Sequence, residues 1–272
     1  MLECGYASVG EFHYVHHQSG GQHYANIAET SCRIIKAAQK AGIGLTHLPV
    51  FYMQGGLNGQ SLTEGQLRFG NEQDGFLQLL EQAQVALLKA PEDYLLGIAP
   101  HSLRAVSQES LQEIVKAINY GPIHIHIAEQ LKEVDDVLES YGARPVEWLL
   151  QNVEVDSRWC LIHATHMIPE EIQNVAKSGA VVGLCPITEA NLGDGVFDGS
   201  GFLSSGGKYG IGSDSNVFIA LTEELRLLEY SQRLIRKERN VMTSNSGSVG
   251  RALYNDALLG GAQALGRKSG SL

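Results

Sequence analysis

The hydrophobic and polar positions along the chain repeat one alternation: a short apolar run of period two, then a longer stretch of helical period. Residues 7–14 (ASVGEFHY) read as a strand, and residues 25–41 carry helical spacing through Ile27, Ile34, Ile35 and Ala38. Residues 43–51 (IGLTHLPVF) form the next predicted strand. A polar, Gly-rich loop follows over 52–70, long enough to suggest a function. Residues 76–89 are predicted helical, and 94–99 (YLLGIA) a strand running into Pro100-His101-Ser102-Leu103-Arg104. Ser107 caps a predicted helix to Ile118, with Ser110-x-x-Glu113 as a weaker alternative start. A strand at 122–127 is followed by helices near 131–141 and 145–150. Residues 158–163 (RWCLIH) are a strand, and the helix after it opens with Pro169 and two acids, as the helix dipole favours. Residues 180–184 (AVVGL) are a strand, 185–207 a loop rich in Gly, Asp, Asn and Ser, and 209–212 a brief strand. Helices near 219–239 and 249–265 end a single predicted domain over 1–265, and 266–272 read as a frayed tail.

This rhythm amounts to seven strand–helix units, which implies an α/β fold with a parallel sheet and right-handed crossovers. An open doubly wound sheet is the alternative, but no GxGxxG or Walker loop supports one. The most unusual strand is PIHIHIAEQ at 122–130. Ile123, Ile125 and Ile127 share one face, His124 and His126 the other, and Glu129 lies three residues past the second histidine. Buried polar groups need partners, and a metal ion satisfies such a cluster, although an isolated His-x-His also reads as two hydrogen-bonded core histidines. Polar residues recur at the C-terminal ends of other strands: His13 and Tyr14, His101 and Arg104, His163, Asp214. Barrel enzymes place their active sites at those ends, so a TIM-type barrel is the expected architecture, with seven of the usual eight strands visible.

Composition narrows the function. The chain has 272 residues, 43% hydrophobic and 18% charged, within the range of globular enzymes. A net charge of −10 argues against nucleic acid or an anionic membrane surface as a partner. Four scattered cysteines without a CxxC pair point away from a disulfide framework and towards a reducing cytoplasm. No apolar run reaches membrane-spanning length. A mononuclear metal hydrolase needs imidazole and carboxylate ligands and a group to move the proton of water. His126 and Asp214 can supply ligands, and Glu129 and His163 can handle protons. Each is also readable singly as a buried polar residue.

The motifs then become specific together. IHIHIAEQ, LIHATH and GIGSDSN resemble the fifth, sixth and eighth strands of the amidohydrolase superfamily of metal-dependent (β/α)8 barrels. GEFHYVHH, APHSLRAV, CPITEANLGDG and GSDSN resemble, within it, the formimidoylglutamate deiminase family, and the similarity runs over about residues 1–265. The resemblance implies hydrolysis of N-formimidoyl-L-glutamate to N-formyl-L-glutamate and ammonia, with one zinc ion as cofactor. By that resemblance His126 is the fifth-strand metal ligand, and Asp214 is a ligand that also takes a proton from the attacking water. It makes His163 the residue that orients the water or stabilises developing charge, and Glu129 the acid that protonates the imine nitrogen. It likewise implies that Arg104, His101 and Tyr14 bind the glutamate carboxylates, for which a guanidinium fork is suited. His124 is expected to pack in the interior, His166 to bond locally, and Glu189 and Asn191 to shape a loop over the site. His13, His16 and His17 are tempting as a second metal cluster, but loop hydrogen bonding and solvent exposure are the expectation for them.

The family's first strand carries a His-x-His ligand pair upstream of a segment like GYASVGEF, and this chain begins at that segment. The resemblance therefore implies an internal piece of a longer enzyme, without the first strand and the small β-sandwich domain, expected to bind zinc weakly and turn over poorly. Two rival readings stand beside the deiminase: a deaminase of guanine, cytosine or a similar heterocycle, and a catalytically silent barrel fragment. A homodimer is compatible with either enzyme reading.

Overall fold

The computed structural model describes residues 1–243 and 247–269; of the predicted tail, residues 270–272 lie outside the described residues. Two compact units divide the chain, one of Ala7–Ile125 and one of Met1–Tyr6 with His126–Leu272.

In the Ala7–Ile125 unit, β1 (Ser8–His13) pairs in parallel with β2 (Gly44–Phe51), from Ser8 opposite Gly44 to His13 opposite Pro49. Seven consecutive residues of β2, Leu45 to Phe51, are buried, the two-sided burial that parallel strands between helices acquire. The predicted strand over 94–99 is split into β3 (Leu95–Leu96) and β4 (Ala99–Pro100), both paired with β2. Gly97 explains the break. A Cβ there would lie 2.3 Å from the Pro122 carbonyl oxygen, so only glycine allows the backbones to approach. Ile98 then donates to Pro122 O at 3.0 Å and accepts from His124 N at 3.0 Å, which bridges it to Ile123 at the start of β5 (Ile123–Ile127). Three helices complete the unit: α1 (Glu29–Ala41), α2 (Gln73–Leu87) and α3 (Gln108–Ala117). Helix α1 starts four residues later than its periodicity suggests, because Asn26 accepts from Ala28 N and makes a turn that competes with the helix. At α3 the Ser107 side chain accepts from Ser110 N, so Ser107 is the cap and the alternative start at Ser110 is not used.

In the other unit, α4 (Leu131–Tyr141) and α5 (Pro145–Asn152) follow β5. Strand β6 (Trp159–His163), helix α6 (Pro169–Ser178) and strand β7 (Val181–Leu184) come next. Helices α7 (Pro186–Leu192) and α8 (Gly199–Ser204) lead to β8 (Lys208–Ile211), and α9 (Leu221–Arg236) and α10 (Val249–Ala264) finish it. Strands β6, β7 and β8 pair in parallel in that order, and Ala164 N, just past β6, donates to Ile127 O of β5 at 3.0 Å. Helix α10 packs on β8 through Gly260, where a Cβ would meet the Tyr209 carbonyl oxygen at 1.9 Å. The segment 185–207, expected as loop, holds two short helices. Pro186 begins α7 and Gly193, at φ 75°, stops it, while the Asp198 side chain caps α8 by accepting from Gly201 N. With β3 and β4 counted together, the seven predicted strands are all present among the described residues. No helix there is long and apolar enough to cross a membrane, and the four cysteines are free.

Candidate active site

The ends of β5, β6 and β8 break out of regular geometry. Ala128, His163, Ala164 and Asp214 have φ of 50°, 67°, 48° and 39°, a left-handed region that residues with a Cβ rarely adopt. Such strain costs on the order of 1–3 kcal/mol per residue and persists only where the surroundings impose it. The surroundings here are polar clamps. Glu133, buried in the first turn of α4, accepts from Ala128 N at 3.2 Å and from Glu129 N at 3.0 Å, which fixes the backbone that presents Glu129. His166 N donates to Ala128 O, and its ring Nε2 bonds the Asp194 carbonyl at 2.7 Å, a partner 28 residues away. Past β8, Ser213 Oγ bonds Asn216 Oδ1 at 2.7 Å, and Thr188 of α7 bonds Ser215 Oγ at 2.9 Å, which pins the turn containing Asp214.

The result is a convergence of three side chains. His126, His163 and Asp214 each offer a ligand atom within 4.8 Å of the others, the two imidazoles buried and the carboxylate exposed. Their rings stack at 5.6 Å and 21° for the His126–His163 pair. Two neutral imidazoles and a carboxylate are a donor set suited to zinc, so the residues present fit a divalent metal ion. Glu129 stands beside them, its Oε1 3.6 Å from His163 Nε2, which is ion-pair reach but longer than a hydrogen bond. Burial alone would lower the His163 imidazole; a hydrogen bond to Glu189 and the charges of Glu189, Glu129 and Asp214 reverse this and raise it above the usual histidine range. A divalent cation in the same place would act in the opposite direction. Beneath α7, burial pushes the Glu224 carboxyl up to about 7, with the charges of Glu189 and Asp214 adding to the shift and a bond from Ile187 N opposing it.

The residues predicted for the substrate carboxylates belong to the Ala7–Ile125 unit and cluster within it. The rings of Tyr14 and His101 lie 5.5 Å apart, with Tyr52 4.7 Å from His101 and Phe69 5.5 Å from Tyr14. Burial pushes the His101 imidazole down to about 3, and the charge of Arg104 pushes the same way. His101 Nδ1 bonds the Ser102 hydroxyl at 2.8 Å. Arg104 is partly exposed, and its buried Nε has no hydrogen-bond partner among the described residues.

Three other histidines of this unit differ from expectation. His13, His16 and His17 are buried rather than solvent-exposed, at 5%, 0% and 1% accessibility. They do make the expected hydrogen bonds, His16 Nε2 to Val50 O and His17 Nε2 to Gly70 O, both at 2.9 Å. His47 joins them, its ring 5.1 Å from that of His13, and neither of its ring nitrogens has a partner among the described residues. His124 is buried, as its strand position implies, and Asn191 is exposed.

Two residues with no predicted role, Glu133 and Thr188, hold the site together with Glu189, for which only a loop-shaping part is expected. Glu189 is buried and its Oε1 lies 3.1 Å from His163 Nδ1, so it does more than shape a loop. Its signal is positional: it follows the end of β7, one of the two strand ends that carry no predicted functional residue.

The family model described as "Amidohydrolase family" matches residues 1–272. The chain is 52% identical to the Formimidoylglutamate deiminase of Pseudomonas aeruginosa over all of its length and 60% of that protein's. It superposes on the crystal structure of an amidohydrolase from Brucella melitensis with a TM-score of 0.96 and 54% identity, covering 98% of this chain and 59% of that one. A zinc-bound adenosine deaminase from Xanthomonas campestris, at 19% identity and a TM-score of 0.73, shares the fold over 93% of this chain and 56% of its own. The chain thus spans about three-fifths of the length of its most similar relatives here.

Proposed function

The chain belongs to the amidohydrolase family, whose α/β fold it has, and from that premise we propose that it hydrolyses N-formimidoyl-L-glutamate to N-formyl-L-glutamate and ammonia in the cytoplasm. The observation that carries the reading is the meeting of His126, His163 and Asp214 at three strand ends with Glu129 beside them. His126 and Asp214 would hold a zinc ion, with His163 in reach. A divalent ion there supplies Lewis acidity and a water made nucleophilic near neutral pH.

The chain's own groups do the rest. Water adds across the C=N bond, its oxygen to carbon, and leaves a tetrahedral carbon bearing hydroxyl and amino groups. Asp214 takes the proton that the water gives up, and Glu129, partly exposed, delivers one to the imine nitrogen. The proton held on Asp214 passes to that nitrogen and makes it a leaving group; ammonia departs as the C=O bond forms, and the hydroxyl proton returns to Glu129. His163, held by Glu189, stabilises charge on the reacting oxygen. Arg104 and His101, with the Tyr14 hydroxyl, bind the carboxylates of the glutamate half, the arginine as a bidentate fork.

The rings of Tyr14 and Tyr52 beside His101 favour the rival reading, a heterocycle deaminase, since bases stack on aromatic side chains. The test is ammonia release by the purified zinc-loaded protein, offered N-formimidoyl-L-glutamate, guanine and cytosine in parallel. Turnover of the formimidoyl substrate, lost on chelation and restored by zinc, supports the proposal. Preference for a base would overturn the substrate assignment, and equal rates with and without metal would overturn the mechanism.

A further inference from the structure

We propose that Glu189 is the positioning residue of the site: it fixes the tautomer and ring plane of His163, so that Nε2 is the nitrogen presented to Glu129 and the reacting atoms. The proposal rests on the hydrolytic reading above and deepens it by giving Glu189, expected only to shape a loop, a part in the chemistry that the relatives' names do not assign.

The geometry leaves little freedom. One oxygen of Glu189, Oε1, lies 2.8 Å from Cys185 N and 3.1 Å from His163 Nδ1. A backbone N–H can only donate, and an ionised carboxylate can only accept. His163 Nδ1 must therefore carry its proton and point it at Glu189, whether the ring is neutral or charged. Nε2 is then the nitrogen that faces Glu129, at 3.6 Å. Both partners are buried, His163 to 1% and Glu189 to 6% accessibility, so water cannot take over the bond if the carboxylate is removed. The donor is strained as well as buried, because His163 has a φ of 67° and the following Ala164 one of 48°. A ring on such a backbone needs an anchor to hold one orientation.

Glu189 is itself held rigidly. It lies in α7, whose backbone is fixed at Ile187 N by Glu224 at 2.8 Å and whose Thr188 hydroxyl bonds Ser215 Oγ at 2.9 Å. The same short helix thus steadies the turn that carries Asp214 and the imidazole of His163. Imidazoles at such sites acquire their orientation and basicity from this kind of second hydrogen bond, whose loss costs about 10–100-fold in activity or metal affinity.

The test compares two substitutions that keep the side chain's volume. Both donors converge on one oxygen, so the amide oxygen of Glu189→Gln can serve them together; Glu189→Met offers no such acceptor. Long-range proton–nitrogen NMR correlations of His163, assigned against His163→Gln, report which ring nitrogen is protonated, and steady-state kinetics with N-formimidoyl-L-glutamate report kcat and KM. We expect a protonated Nδ1 in the parent and in Glu189→Gln. In Glu189→Met the Nδ1 proton should be lost or mixed between nitrogens, with kcat reduced about 10–100-fold and KM little changed. An unchanged His163 spectrum and unchanged kcat in Glu189→Met, with only a lower melting temperature, would overturn the proposal and leave Glu189 a cap for α7. Should Glu189→Met fail to fold, a parent spectrum without a proton on Nδ1 would overturn it alone. The expected spectra in a protein that ignores the formimidoyl substrate would leave the positioning role standing and sink the substrate assignment instead.

Discussion

At the scale of single residues, the chemistry concentrates where strands end and the backbone turns left-handed. Glu129 is the residue on which the proton delivery depends, because its carboxyl lies 3.6 Å from His163 and is partly exposed. Glu129→Gln keeps the shape and removes the transferable proton. It should lower kcat by about 10²–10⁴-fold while zinc content, measured by plasma emission, stays at the parent's level. A variant with parental kcat would remove Glu129 from the mechanism. His126, Glu129, His163 and Asp214 were legible as candidates because each lies within three residues of the end of a short apolar strand, and the resemblance to the amidohydrolase strands supplied their roles. Glu189 was not. Its partner lies 26 residues away on a different strand, and nothing in the run CPITEANLGDG says that one of its acids points at an imidazole.

At the scale of elements, rigidity comes from side chains that fasten backbone. Glu133 is the clearest case, with one oxygen on Ala128 N and the other on Glu129 N. Glu133→Gln replaces one of those acceptors with a donor, leaving a buried N–H without its bond. The variant should lose about 1–3 kcal/mol of stability in urea titration and also lose kcat, as Glu129 is released from its orientation. Parental urea midpoint and kcat together would contradict this. Long amphipathic helices and buried strands could be placed from periodicity; α4 was expected near 131–141 and spans Leu131–Tyr141. Helices α7 and α8 could not, since runs of seven and six residues are too short to show a 3.6-residue period amid Gly, Asp and Asn. Nor could the split between β3 and β4, which depends on how closely Gly97 meets the Pro122 carbonyl.

At the scale of the whole molecule, the α/β class followed from the strand–helix rhythm, whereas the division into two units did not. The divide falls inside β5, between Ile125 and His126, with no change of composition to mark it. The buried imidazoles of His16 and His47 set an acid limit on stability. Burial lowers His16 to about 3 and His47 well below its usual 6.5, with neighbouring imidazoles adding to both shifts. The unfolded chain takes up protons on these groups below about 6.5, while the folded chain resists, His16 until about 3, so their contribution to stability is full above 6.5 and drains away as pH falls below it. His47→Leu removes one such group together with two ring nitrogens that have no partner among the described residues. It should be neutral or stabilising near neutral pH and should flatten the acid limb of melting temperature against pH. An acid limb as steep as the parent's would show that other groups set it.

The central claim is the proposal that His126 and Asp214, at the ends of β5 and β8, hold a divalent metal with His163 beside it. Cobalt(II) titrated to saturation reads this directly through its visible absorption, which reports coordination number and donor type. The account predicts intense low-coordinate bands in the parent, their loss in His126→Ala and in Asp214→Ala, and a displaced spectrum in His163→Ala. Identical spectra in the parent and all three variants would place the metal elsewhere and contradict it.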